Sequence, residues 1–214
     1  MAPRYNAHVK LYVSKFAPNP RRVVIYLREK QLEIDRVIVD AVAGDHRTPE
    51  MLAKNPLGLL PILELDDGSC LTESLAICHY LEELHPEPNV IGETAIERAR
   101  ICEATRIAEL GLLAPAALAF QNAMPFFAKR LEQSAAVADQ GRQQFSVGGS
   151  RIDQLLGDKR PHLAGDRFSL ADITALCAID FGKPAGCLVD PAWHNLATWL
   201  TRVRERPSCR RGLS

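Results

Sequence analysis

Every strand-like run in this chain lies before residue 73, and the long runs after residue 92 all carry helical patterning. "HVKLYV" from His8 reads as a strand. "PRRVVIYLREKQ" from Pro20 reads as a helix, with Val23, Ile25 or Tyr26, and Leu27 offering an apolar face. "IDRVIVD" is a second strand, rich in β-branched residues. "TPEMLAKN" has a threonine cap, a proline at the first helical position and an acid beside it, so it is a short helix. "PILELDDGSCLT" is a hairpin that turns on Asp67-Gly68, and "ESLAICHYLEEL" is a third helix. The order is βαβ, then α, then ββα, which makes a small sheet with helices packed on it.

A break follows. "HPEPNVIGE" has two prolines, a glycine and no period, and reads as a linker over 85–92. The expected organisation is α+β, with a mixed domain at 1–84 and an all-helical domain at 93–214. Residues 93–159 form long segments rich in Ala, Leu, Arg and Glu, broken near Met124-Pro125 and thinned by Gly148-Gly149. "FSLADITALCAIDF" opens on Ser169 with Asp172 three residues on, a capping box with Asp in the usual Glu/Gln place and Phe168 as a staple. "PAWHNLATWLTRVRERPS" is a last amphipathic helix.

Charge narrows the function classes. The 26 basic and 26 acidic residues cancel, so nothing favours nucleic acid or an anionic membrane surface as a partner. No run approaches the roughly 18 apolar residues of a spanning helix. The start "MAPRYNAHVKLYV" has a short apolar run that behaves as a strand and not as a signal peptide, so the expected compartment is the cytoplasm. The six cysteines form no CxxC pair and no zinc-spaced cluster, so no metal is expected. Cys78, Cys102 and Cys177 fall inside helical apolar runs and read as reduced packing residues.

Four stretches carry a family resemblance. "NPLGLLPILELDDGSCLTESLAICHYLEE" resembles the glutathione-binding signature of the soluble glutathione transferases, an N-P-x-G-x-x-P-x-L run followed by E-S-x-A-I-x-x-Y-L. "GDHRTPEML" and "APNPRRVVIYLREKQL" resemble the second-helix loop and first helix of plant and bacterial members, and "LAGDRFSLADI" resembles their C-terminal folding motif. The ordered set covers nearly the whole chain. It implies a thioredoxin-like βαβαββα domain, a helical second domain, glutathione as co-substrate and a homodimer.

The resemblance also implies a ligand scheme. Glutathione carries two carboxylates, an ammonium and a thiol. Glu73-Ser74 stand where a strand hands over to a helix, whose free N–H groups and dipole suit a carboxylate. Ser74 would hold the γ-glutamyl carboxylate and Glu73 the adjacent ammonium. Leu60-Pro61 is implied as a cis peptide whose Leu60 backbone pairs with the cysteinyl residue as an added strand would, which makes the Leu60 side chain incidental. His46 and Arg47 would face the glycine end, Arg47 with a bidentate fork. Where members often have a glutamine, this chain has Leu59.

The thiol-activating residue departs from the family pattern. The serine position of plant-type members falls on Ala17, the tyrosine position of animal-type members near Val13, and the cysteine position on or next to Pro18. "APNP" is similar to the T-P-N motif of the nu-class disulfide-bond reductases, with the threonine lost. Read on its own, Asn19 is an N-cap before Pro20, and its NH₂ stays available to a sulfur above the helix end. Asn19 is therefore the leading candidate for thiolate stabilisation and Ser14 the alternative. A thiol near about 8.5 must fall by about 1.5–2 to ionise at neutral pH, or roughly 2–3 kcal/mol. A donor to a charged acceptor gives about 1.5–3 kcal/mol and a helix end about 0.3–1 kcal/mol, which is adequate without margin. Phe16, Arg106, Leu110 and Leu113 are the expected walls for a hydrophobic second substrate. The leading expectation is conjugation of glutathione to a small electrophile. The alternatives are glutathione-dependent disulfide or peroxide reduction, and glutathione or ligand binding without turnover.

Overall fold

The structure is a computed structural model and describes residues 9–210. His8 of the expected first strand lies outside the described residues, as do residues 1–7 and 211–214 of the expected domains. The chain divides into two compact units between Asn89 and Val90.

In the first unit, β1 (Lys10–Val13) runs parallel to β2 (Asp35–Ile38) and antiparallel to β3 (Ile62–Glu64), and β3 pairs antiparallel with β4 (Cys70–Thr72). The order across the sheet is β2-β1-β3-β4. α1 (Pro18–Glu29) connects β1 to β2, α2 (Pro49–Lys54) lies between β2 and β3, and α3 (Ser74–Leu84) follows β4. Side chains alternate across the pleat, so Tyr12 and Ile62 share one face while Leu11, Leu63 and Leu71 share the other. On the first face Tyr12, Ile62, Val39 and Met51 of α2 form a buried cluster, with Leu60 and Cys70 packed against it. On the second, Leu11, Val13 and Leu63 are fully buried, and α1 buries Val23, Val24, Ile25, Tyr26 and Leu27. The β-branched residues of β2 do not signal burial, since all four of its residues are exposed at the sheet edge, where Asp35 and Arg36 are charged.

Two local expectations hold and one does not. The hairpin turns at Asp67-Gly68, where Gly68 donates to the Leu65 carbonyl at 3.0 Å and Asp67 Oδ1 accepts from the Ser69 N–H at 2.9 Å. Thr48 caps α2 by accepting from the Met51 N–H at 3.4 Å. Asn19, however, does not cap α1. The helix starts at Pro18, Ala17 occupies the cap position without a side-chain bond, and Asn19 lies inside the first turn. The reason is local: Pro18 already has the φ of a first helical residue and lacks an N–H that needs a partner, so the helix begins two residues before Pro20. Just past the C-terminal end of the helix, the fully buried ammonium of Lys30 contacts Glu82 of α3 at 2.9 Å and the Pro88 carbonyl at 2.7 Å. The Tyr26 hydroxyl donates to Glu82 at 2.5 Å, completing a polar tie between α1 and α3.

The second unit is helical: α4 (Ala95–Ala108), α5 (Ala114–Ala123), α6 (Ala135–Leu155), α7 (Leu170–Gly182) and α8 (His194–Glu205). Among the described residues no helix is long and apolar enough to cross a membrane. α7 is buried from Leu170 to Ile179 and forms the centre. Its Asp172 has no solvent exposure and accepts from Ser169 N–H at 2.9 Å, Ser169 hydroxyl at 3.1 Å, Leu163 N–H at 3.0 Å and Trp199 Nε1 at 2.7 Å. The expected box at Ser169 thus also ties the loop before α7 and helix α8 to one carboxylate.

Between α4 and α5 the chain widens into a π-turn at Glu109–Leu113. Pro115 explains it: the ring has no N–H for the Gly111 carbonyl and would clash with it in a regular helix. The displaced carbonyl meets α6 at Gly148, where an added Cβ would sit 1.9 Å from the Gly111 oxygen. At Gly149 an added Cβ would fall 2.3 Å from the Trp193 ring. These two glycines therefore do not thin the helix; they allow close approach to it. Cys78 and Cys177 are buried as expected, but Cys102 is exposed, because α4 buries the face of Thr105 and Ala108.

Candidate functional site

The sheet register gathers most of the expected site residues. Val13 pairs with Ile38, Tyr12 with Ile62, and Ile62 with Thr72. The C-terminal ends of β1, β2 and β4 and the N-terminal end of β3 therefore share one end of the sheet. From that end leave the segment 14–19, the loop toward His46 and Arg47, the Leu60-Pro61 dipeptide, and Glu73-Ser74.

Each arrives by its own local cause. The Leu60-Pro61 peptide is cis, and so is Glu87-Pro88, which the sequence did not single out. The turn before Leu60 is built by Asn55, which is almost fully buried. Its Nδ2 donates to the Leu59 carbonyl at 2.8 Å, and its Oδ1 accepts from the Leu57 N–H at 3.1 Å. The Leu60 side chain is not incidental, since it packs against the cluster of Tyr12, Val39, Met51 and Ile62. Glu73 takes φ +65° between β4 and α3, a conformation that costs an ordinary residue about 1–3 kcal/mol. That bend lets a strand pass directly into a helix whose first-turn N–H groups, residues 74–76, lack helical partners.

Ser74 does not stand alone at this helix start. It is 2% exposed, and its hydroxyl oxygen accepts from Arg22 Nη1 of α1 at 2.8 Å. Arg22 is likewise 2% exposed. Sequence reading passed over both Arg22 and Asn55. Asn55 stood inside the quoted N-P-x-G run, and Arg22 lies three and four residues before Ile25 and Tyr26 on the buried stripe of α1, where a charge calls for a partner.

The remaining site residues are more scattered. Ser14 follows β1 and is 4% exposed, so little of it is offered to solvent. Asn19 sits between Pro18 and Pro20, neither of which has an N–H, and is therefore the one backbone donor among the first three residues of α1. Its Oδ1 is buried without a hydrogen-bond partner, which turns the acceptor end of the amide inward. His46 is buried in the short 3-10 turn Asp45–Arg47, and Arg47 is exposed, with its Cγ 3.3 Å from the place a Cβ on Gly58 would take. Phe16 is 81% exposed in the first unit. Arg106, Leu110 and Leu113 belong to the second unit, around the π-turn. Leu110 is 62% exposed, Leu113 is half-buried, and Arg106 pairs with Glu109 at 2.5 Å.

At the other end of β3 lies a charged anchor. Tyr12 Oη donates to Glu64 at 2.6 Å, and Lys54, the last residue of α2, reaches the other Glu64 oxygen at 2.7 Å. The Lys54 bond, and then the Tyr12 hydroxyl, hold the Glu64 carboxyl below its ordinary value. Burial, with the Glu64 hydrogen bond second, raises the Tyr12 phenol, and the Glu64 bond raises the Lys54 ammonium. α2 is thereby fastened to β1 and β3.

Comparison with known proteins gives the family. Residues 11–89 match the glutathione S-transferase N-terminal domain family, and residues 116–207 match the C-terminal domain family. Glutathione S-transferase 2 of Saccharomyces cerevisiae is 34% identical over 205 residues, covering 94% of this chain and 88% of that protein. A maleylacetoacetate isomerase of Pseudomonas aeruginosa is 30% identical, with 94% of each chain covered. The crystal structure of a glutathione S-transferase domain-containing protein from Marinobacter aquaeolei VT8 superposes with a TM-score of 0.87 at 33% identity, covering 94% of this chain and all of that one. With a thioredoxin-like first unit, a helical second unit and both family domains matched, this chain belongs to the glutathione S-transferase family.

Proposed function

We propose that the protein is a cytoplasmic, homodimeric glutathione transferase that joins the glutathione thiolate to a small hydrophobic electrophile. The observation that supports this reading is the convergence of Asn19, the cis Leu60-Pro61 peptide and the Glu73-Ser74 helix start at one end of the sheet, in a chain of this family. Ser74 and the start of α3 take the γ-glutamyl carboxylate, Glu73 the ammonium, the Leu60 backbone the cysteinyl residue, and His46 with Arg47 the glycine carboxylate. The thiol then lies over the start of α1. Its proton leaves to solvent, the sulfur attacks carbon, and the leaving group departs with its bonding pair. Asn19 stabilises the thiolate through its side-chain Nδ2, aided by the helix end. For a hydrophobic second substrate, Phe16 offers exposed apolar surface on the first unit, and Arg106, Leu110 and Leu113 offer a wall at the π-turn of the second.

The test is a titration of bound glutathione by thiolate absorbance against pH, in the native protein and in Asn19→Ala. The reading expects a thiol value lowered by more than one unit in the native protein and close to about 8.5 in the variant. A free-solution value in both proteins overturns Asn19 as the activating group. Binding without turnover is the second reading. It is favoured by Ala17, which leaves the α1 cap position with no hydroxyl. It predicts glutathione binding with no conjugation of a chloro-nitroaromatic and no reduction of hydroxyethyl disulfide. Sedimentation velocity checks the homodimer.

A further inference from the structure

We propose that Arg22 is a positioning residue for glutathione, acting through Ser74. The inference rests on the glutathione reading above and adds to it a residue that sets the direction of one hydrogen bond.

Donors and acceptors fix the direction of the bond. Guanidinium has only N–H donors, whereas a serine hydroxyl has one proton and two lone pairs. In the pair Arg22 Nη1 to Ser74 Oγ, at 2.8 Å, the serine oxygen is therefore the acceptor. Its single proton is left to point elsewhere. Ser74 is the first residue of α3, so that proton projects beside the first-turn N–H groups at the helix N-terminus. The result is a set of donors with no competing acceptor, which is what a carboxylate requires. A Ser74 without Arg22 is free to turn its proton toward a carbonyl and present a lone pair to the ligand.

Burial makes the direction firm. Both residues are 2% exposed, so water does not compete for either end of the bond. Arg22 also lies one turn into α1, the helix that carries Asn19 at its start, so a single helix would serve both the thiol and the γ-glutamyl end.

The experiment uses isothermal calorimetry with two ligands. One is glutathione. The other is 4-aminobutyryl-cysteinyl-glycine, which is glutathione without the γ-glutamyl α-carboxylate. The proteins are the native chain, Arg22→Met, Arg22→Lys and Ser74→Ala, with folding of each followed by circular dichroism. Arg22→Met is expected to weaken glutathione by about tenfold, the scale of one misdirected donor to a carboxylate, and to leave the decarboxylated ligand unchanged. Arg22→Lys, also a pure donor, restores most of the preference. In the Ser74→Ala background, Arg22→Met has no further effect on the preference. If Arg22→Met keeps the native preference, or loses both ligands equally, Arg22 only supports the fold and the inference is overturned. Should Arg22→Met fail to fold, Arg22→Lys decides: a preference reduced to that of Ser74→Ala overturns the inference, and a native-like preference supports it. Failure of the native chain to bind glutathione overturns the transferase reading and this inference together, whereas native binding with an unaltered Arg22→Met overturns this inference alone.

Discussion

Asn19 combines a functional opportunity with a structural cost. A buried amide oxygen without a partner costs about 1–3 kcal/mol, and the structure places Asn19 Oδ1 in that position. Asn19→Ala should therefore melt no lower than the native protein, and it should lose about tenfold to a hundredfold in kcat below pH 7 through the missing donor to the thiolate. Differential scanning fluorimetry and a pH–rate profile check the two halves. A fall in both together would mean that Asn19 holds the turn and does not serve the sulfur. The resemblance of A-P-N-P to a T-P-N motif made Asn19 the leading candidate, but its place in the helix could not be read from the sequence. Capping preferences rank asparagine above alanine, and they were overridden by Pro18, which begins the helix early. Arg22 escaped notice for a different reason: a basic residue on a helix reads as solvated until the partner helix is known to cover it.

At the scale of elements, α2 and α6 give the sharpest expectations. α2 is held by Glu64, whose depressed carboxyl stabilises the folded state above its unfolded value, taken as 4.5, and loses that contribution as the pH falls through the lower folded value. Lys54 is raised from 10.5, so its share is complete below that value and is lost as the pH climbs through the folded one. The Tyr12 phenol is raised from 10.0 and begins to lose its share above that value, so melting temperature should be flat between 4.5 and 10.0 with respect to this cluster, and Glu64→Gln should lower the plateau while flattening the acid limb. A Glu64→Gln curve parallel to native across the acid range would contradict the assignment. On α6, Gly148→Ala pushes a methyl into the Gly111 carbonyl and should destabilise by about 1–3 kcal/mol or more, read from urea midpoints. The hairpin, the short α2 and the Ser169 box were legible because each has a residue pair with one dominant local geometry. The π-turn was not, since it depends on Pro115 in one helix and Gly148 in another, 33 residues apart by subtraction. Without the partner helix, Gly148-Gly149 can only be read as weak helix formers.

For the whole molecule, the change from alternating to helical patterning announced two units, and the structure divides between Asn89 and Val90. What the pattern could not supply was the convergence of segments at one end of the sheet. That follows from the strand order β2-β1-β3-β4, in which chain neighbours are not all spatial neighbours. The chain has two tryptophans, Trp193 and Trp199, and both are buried in the second unit, one against Gly149 and the other bonded to Asp172. Intrinsic tryptophan emission is consequently a one-sided reporter. It follows the helical unit alone, whereas far-ultraviolet circular dichroism sums over both. If the units melt as one, the two signals will trace the same urea curve; if the first unit opens earlier, ellipticity will fall while the emission maximum stays blue. An ordinary fluorimeter, with no label attached, can then tell opening of the thioredoxin-like unit from loss of the whole fold.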